Sequence, residues 1–269
     1  MLRCRNIYRI YGAESPGHTV ADDKIYHKGF SDFIQDIEKN IQNLDYLNDS
    51  EAYDKQEELK EVLKDNFIGN EEIRQLFLNK TPKYGNDDDY ADDIMKLVFD
   101  AFHDEVNGRK NTKGGVYRIN MLPTTCHIYF GSVVGATADG RREKQPLSEG
   151  ISPVQGADRL GPTAVIKSAA KMEQVKTGGT LLNQKFTPQL LEGEKGLNSL
   201  AHLIRVYFKL GGHHIQFNVI SADTLKAAQK EPEKYRNLIV RVAGYSDYFN
   251  NLSKTLQDEI ISRTEHQSC

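Results

Sequence analysis

The sequence predicts an α/β fold, and three observations predict it. Apolar residues recur at three- and four-residue spacings over several long stretches, the period of a helix with one buried face. Between them stand runs of β-branched and aromatic residues, such as Leu238-Ile239-Val240-Arg241-Val242 and the alternating Ile215-Gln216-Phe217-Asn218-Val219-Ile220, the pattern of strands. The two kinds of segment interleave along the second half of the chain, separated by glycine-rich breaks.

Taken in order, residues 11–30 are rich in turn formers around Ser15-Pro16-Gly17-His18 and read as a loop; on the residues alone, His18 is a surface-loop histidine. Gly29 and Ser31 open a helix marked by Phe30, Phe33, Ile34, Ile37, Ile41 and Leu44. Leu59, Val62, Leu63, Phe67, Ile73, Leu76 and Phe77 give two charge-dense helical segments broken at Gly69-Asn70. Asp87-Asp88-Asp89 lacks the alternating ligand spacing of a calcium loop and reads as the cap of a helix through Ile94, Leu97, Ala101 and Val106, ending at Asn107-Gly108. Val116–Leu122 and Cys126–Gly131 read as strand material interrupted at Pro123-Thr124-Thr125. Residues 135–163, dominated by Gly, Pro, Ser, Asp and Arg, form a long irregular segment of the kind that is either functional or an interaction loop. Val165–Ala170 begins a short helix or strand, and Gly178–Phe186 reads as a strand. Leu197, Leu200, Leu203, Ile204 and Phe208 mark a helix, and His213–Ile220 a strand on which His213 and His214 face opposite sides. Asp223 is placed as the cap of a helix through Leu225 and Ala228, and Leu252–Ile261 as a terminal amphipathic helix.

With 269 residues the chain can bury a sizeable core. Its 35 basic and 38 acidic residues leave a net charge of -3, which supplies no basic field for nucleic acid and no polybasic membrane surface. No apolar run approaches the ~18 residues of a membrane span, and no apolar signal core follows Met1, so a cytoplasmic protein is expected. Cys4, Cys126 and Cys269 are odd in number and far apart, against a disulfide framework or a metal site.

Gly244 stands at the end of a strand run between bulky neighbours. It reads either as a strand-ending or positive-φ turn residue, or as a glycine needed for chemistry. The segment Arg241-Val242-Ala243-Gly244-Tyr245-Ser246 resembles the radical-bearing loop of the glycyl radical enzymes, the family of pyruvate formate-lyase and the diol dehydratases. Further stretches are similar to the same family: Tyr129-Phe130-Gly131-Ser132, Gly135–Arg141, Pro146–Pro153, Gly178–Gln184 and His214–Val219. Thr81–Asp92, Met121–Thr125 and Pro16–Val20 resemble the branch that removes water from trans-4-hydroxy-L-proline.

The resemblance implies that Gly244 stores an organic radical, installed by an S-adenosylmethionine-dependent activating enzyme on a protein that binds no other cofactor and no metal. Glycine suits that role because, without a Cβ, its Cα can flatten and spread the unpaired electron over the adjoining amides. It further implies that His18 sits at the departing substrate hydroxyl and that Thr124 helps hold the substrate carboxylate. Glycerol or diol dehydration, formate acetyltransfer and a non-catalytic radical-carrying module are the other activities the family offers. The implied fold is part of a barrel of two parallel half-sheets, antiparallel to one another, with helices outside. On it residues 1–58 are a remnant of the N-terminal helical region, 59–140 the C-terminal part of the pyruvate formate-lyase-like barrel, and 141–269 the glycine radical domain. The family's chains are much longer, so this one resembles an internally deleted member with its join between Asp54 and Leu59. The family's Cys-x-Glu pair, whose cysteine passes the radical to substrate, does not occur in the sequence. Open sheet edges left by missing strands imply a homodimer or association with a longer subunit. A small-molecule substrate and an anaerobic setting complete the expectation.

Overall fold

The computed structural model describes residues 58–267. His18, the helix expected from Ser31, Cys4 and Cys269 lie outside the described residues. Within them the chain divides into two units, one containing residues 58–81 and 131–145, the other residues 82–130 and 146–267.

In the first unit, helical residues 58–64 lead through a turn to α1 (Glu71–Asn79). The turn buries Phe67, whose ring meets Phe77 edge-on at 6.3 Å. Arg142 Nη1 donates to the Asn66 carbonyl at 2.7 Å and pairs with Glu71, while buried Arg141 donates to the carbonyls of Gly131 and Gln145, folding this loop around one guanidinium.

In the second unit, α2 (Asp89–Val106) is capped as its sequence demands: the Asp88 side chain accepts from the Ala91 amide. Two expected strands are corrected. Cys126–Gly131 belongs to a helix, α3 (Cys126–Val133), entered through a Cys126 N–H bond to the Pro123 carbonyl. A run this short, with Cys126, Ile128, Tyr129 and Phe130 as its apolar residues, does not distinguish strand from helix, and the turn after Pro123 decides. Val116–Leu122 is irregular, with single-residue bridges from Val116 to Lys110 and from Met121 to Thr180. Its groups bond to a loop: Met121 N–H donates to the Gly179 carbonyl and Ile119 accepts from Gly178.

The following elements are α4 (Pro162–Ala170), β1 (Leu182–Phe186), α5 (Gly193–Lys209), β2 (Ile215–Val219), α6 (Ala222–Lys230), β3 (Ile239–Arg241), β4 (Ser246–Tyr248), α7 (Lys254–Ser262) and β5 (Glu265–His266). The cap of α6 is Ser221, which accepts from the Thr224 amide, while Asp223 sits in the first turn; this corrects the expected cap. His213 and His214 precede β2, so neither belongs to a strand face.

Strands β2, β1 and β5 form a parallel sheet in that order, and β3 and β4 an antiparallel hairpin. The fold is thus α/β. The register pairs Leu182 with Ile215, Gln184 with Phe217 and Phe186 with Val219 on one sheet face. Leu182 and Phe186 there join Val165, Ile166, Leu203 and Tyr207 in the main core, with the Phe186 and Phe217 rings 5.5 Å apart. A second core gathers Leu225, Val240, Val242, Phe249, Leu256 and Ile260. Fully burying one such side chain contributes roughly 1.5–3 kcal/mol. Among the described residues no helix is long and apolar enough to cross a membrane.

Candidate functional site

The β3–β4 hairpin places Gly244. Arg241 pairs with Ser246, so residues 242–245 form the connection, closed by a 2.9 Å bond from Val242 N–H to the Tyr245 carbonyl. Val242 and Ala243 are buried, whereas Gly244, Tyr245 and Ser246 are exposed. Gly244 has φ +81°, and a Cβ built on it would meet only the Leu122 methyls at 3.7 and 3.8 Å, an ordinary contact. The left-handed backbone, not crowding, is what favours glycine here.

Leu122 brings a second candidate into the neighbourhood. Thr124, two residues further on, is exposed with φ +54°, and its hydroxyl donates to the Pro123 carbonyl at 2.6 Å. Cys126 follows, exposed, at the start of α3.

Beneath the hairpin lies the other face of the sheet, and it is polar. The register puts Asn183 beside Gln216 and Lys185 beside Asn218, all less than a tenth exposed. Asn218 accepts from Arg241 N–H at 2.8 Å and donates to the Arg241 carbonyl at 2.7 Å. The Val242 carbonyl accepts from Asn183 Nδ2 at 3.3 Å and from Arg263 Nη1 at 2.9 Å. Gln216 accepts from Arg241 Nε at 2.6 Å and donates to Asn183 Oδ1. The sequence marks Arg241 and Val242 as part of the loop and places Asn183, Gln216 and Asn218 only within stretches similar to the family; amides at alternate positions of otherwise apolar strands were the signal for their role.

Behind them is a buried charge cluster. Arg263 forms a two-pronged pair with Glu259, at 3.0 Å through Nε and 2.9 Å through Nη2. Gln155 also donates to Glu259, and His127 Nε2 of α3 lies 3.6 Å from it. Burial acts to raise the Glu259 carboxyl but is outweighed by His127 and Arg263, which bring it down to about 2. Glu149 is 2% exposed and neither of its oxygens reaches a partner at hydrogen-bond geometry. Burial drives its carboxyl up to about 7 against the pull of Arg263. The neighbouring Gly150 has φ +51° and seats its Cα so tightly on the Leu181 carbonyl that a Cβ would overlap it. A cavity of about 20 Å³, room for one water molecule, is bordered by Glu149, Ser152, Asn183, Glu259 and Arg263.

The two carboxylates have opposite linkage. Glu149, raised from 4.5 to about 7, contributes stability that is fully present below 4.5 and lost as pH rises through 7. Glu259, lowered to about 2, contributes stability present above 4.5 and lost as pH falls toward 2. Glu149→Gln removes the first effect, so its stability relative to the parent should rise by on the order of 3 kcal/mol between pH 4.5 and 8. Urea unfolding at both pH values measures this; a difference that does not change with pH would refute the buried neutral acid.

Among the described residues no group of three or more His, Cys, Asp or Glu side chains could hold a metal ion. Comparison with known proteins gives two family matches, a glycine radical model over residues 147–250 and a pyruvate formate lyase-like model over residues 55–131. The chain is 62% identical over 207 residues to the trans-4-hydroxy-L-proline dehydratase of Clostridioides difficile, covering 77% of this chain and 26% of that one. The solved structure of hydroxyproline dehydratase from that organism, with trans-4-hydroxy-L-proline bound, superposes with a TM-score of 0.76 at 61% identity, over 78% of this chain and 27% of that one. The B12-independent glycerol dehydratase of Clostridium butyricum, in its glycerol-bound form, superposes with a TM-score of 0.75 at 48% identity and the same coverage. The chain therefore spans about a quarter of the length of these relatives.

Proposed function

This chain belongs to the glycyl radical enzyme family, and from that membership we propose that Gly244 stores an organic radical serving the dehydration of trans-4-hydroxy-L-proline. The observation that carries the reading is a glycine with φ +81° at the tip of a hairpin inside the segment matched as a glycine radical region. An S-adenosylmethionine-dependent activating enzyme removes one hydrogen atom from the Gly244 Cα. One C–H bond breaks homolytically: the hydrogen atom forms a C–H bond with the adenosyl fragment that one-electron reduction releases from S-adenosylmethionine, and the electron left on Cα delocalises over the adjoining amides. The substrate assignment is supported by the 62% identity to the hydroxyproline dehydratase.

On this reading His18 donates a proton to the departing hydroxyl and Thr124 donates a hydrogen bond to the substrate carboxylate, each a role its chemistry allows. Residues 1–58 are the remnant of the helical region, 59–140 part of the pyruvate formate-lyase-like barrel and 141–269 the glycine radical domain. Substrate attack needs a cysteine two residues before a glutamate, a pair that the 269 residues lack. The dehydration is therefore completed with further polypeptide, either further residues of the same chain or a longer subunit that carries the pair. In support, β2 and β5 end the parallel sheet with no further strand beside them among the described residues. A second reading, dehydration of glycerol or another diol, is favoured by the glycerol-bound dehydratase of similar fold.

Anaerobic electron paramagnetic resonance after incubation with an activating enzyme, S-adenosylmethionine and a reductant tests the radical. The Cα hydrogen that stays behind splits the signal into a doublet. In protein grown on glycine deuterated at Cα, that doublet is expected to collapse toward a single line. A splitting that survives deuteration would place the radical on another residue type.

A further inference from the structure

Buried sheet faces are ordinarily apolar, because an amide taken from water must have its hydrogen bonds made elsewhere. The face of β1 and β2 under the hairpin breaks that habit with Asn183, Gln216 and Asn218, and the partners of these amides converge on two consecutive hairpin residues. We propose that Asn183, Gln216 and Asn218, together with Arg263, form a positioning clamp that sets where the Gly244 Cα sits. They touch neither Gly244 nor any reacting atom; they act through Arg241 and Val242.

The geometry is specific. Asn218 meets both the N–H and the carbonyl of Arg241, imitating one rung of strand pairing with a side chain. The Val242 carbonyl is held by two donors from separate elements, Asn183 on β1 and Arg263 just beyond α7, while the Val242 N–H closes the loop onto Tyr245. Gln216 ties the Arg241 guanidinium to Asn183, and the same guanidinium reaches across the hairpin to Ser246 Oγ at 3.2 Å. Residue 242 is thereby fixed at both its backbone groups, and Gly244 follows two residues later. Val240 and Val242 dock the hairpin by burial in the second core, which is non-directional; the amides supply direction. A reacting centre needs placement to within about 0.5 Å, and hydrogen bonds to the backbone beside it provide that.

That the positioned atom is a radical centre rests on the function proposed above; the positioning does not. Isotope-labelled, unactivated chain is compared with Asn218→Ala and with Ser221→Ala, which removes the cap of α6 and destabilises the fold without touching the clamp. Asn218→Ala is expected to speed exchange of the Val242 amide, a group Asn218 does not contact, on the order of tenfold. It should also drop the Gly244 order parameter from the rigid range near 0.85 to below about 0.6. Amides of β1 should be unchanged, as should Val242 and Gly244 in Ser221→Ala. Asn218→Asp, which keeps the acceptor and loses the donor, should fall between. If Asn218→Ala does not fold, Gln216→Met, which removes only side-chain links, should loosen Val242 in the same direction by a smaller factor. Unchanged values in the clamp variants, or equal changes in Ser221→Ala, would overturn the clamp. These readouts need no radical, so failure of the radical assignment would leave them intact.

Discussion

Gly244→Ala is expected to fold and yet to lose the electron paramagnetic resonance doublet of the activated parent entirely. The added methyl meets only the Leu122 side chain, at 3.7 Å or more, so no clash disrupts the hairpin. The backbone at φ +81° is another matter: an L-residue held there costs about 1 kcal/mol, a fraction of the stability of a domain this size. Circular dichroism and urea unfolding should therefore show a folded, slightly weakened protein. Loss of the doublet in that protein reports chemistry: a Cβ crowds the planar centre, and a radical formed at alanine would couple to its methyl hydrogens in a different pattern. A doublet identical to the parent's would rule out Gly244 as the site.

The second large effect concerns stability. Arg263→Met should destabilise the second unit by about 3–5 kcal/mol, because it leaves Glu259 charged, buried and stripped of its two-pronged partner. It also leaves the Val242 carbonyl with Asn183 as its remaining side-chain donor. Removing both charges together, in Glu259→Met with Arg263→Met, should cost clearly less than Arg263→Met alone, since paired buried charges can often be replaced by apolar groups at little net loss. Urea unfolding of the parent, both single variants and the double variant forms the cycle. If the double variant is as unstable as the sum of the singles, the pair is not coupled and the cluster is only adjacent in space.

Much of the architecture was legible because it is written locally. Asp87-Asp88-Asp89 before a run of apolar residues at helical spacing marked the start of α2, where the structure makes Asp88 the cap, and Gly178–Phe186 and His213–Ile220 contained β1 and β2. The glycine closing the run from Leu238 was legible as a turn with positive φ, since that role needs only the residue's own backbone freedom. Cys126–Gly131 misled because so short a run, with four apolar residues, fits either period, and the bond from Cys126 to Pro123 selects the helix. Asp223 misled for a similar reason: two residues earlier Ser221 is equally able to cap, and it is Ser221 whose backbone is extended and whose hydroxyl accepts from the Thr224 amide.

By itself, then, the sequence determined the α/β class, most helices, the two principal strands, the positive-φ turn at Gly244 and the family. Each of these depends on residue period, on one backbone's allowed angles or on contiguous motifs. Only the tertiary structure decided which face of β1 and β2 meets the hairpin and what holds Val242. Asn183 and Val242 stand 59 residues apart and Gln155 and Glu259 104 residues apart, and nothing local marks such partners. An amide in a strand looks the same in the sequence whether it faces water or a carbonyl; folding alone removes the water and makes the carbonyl its partner.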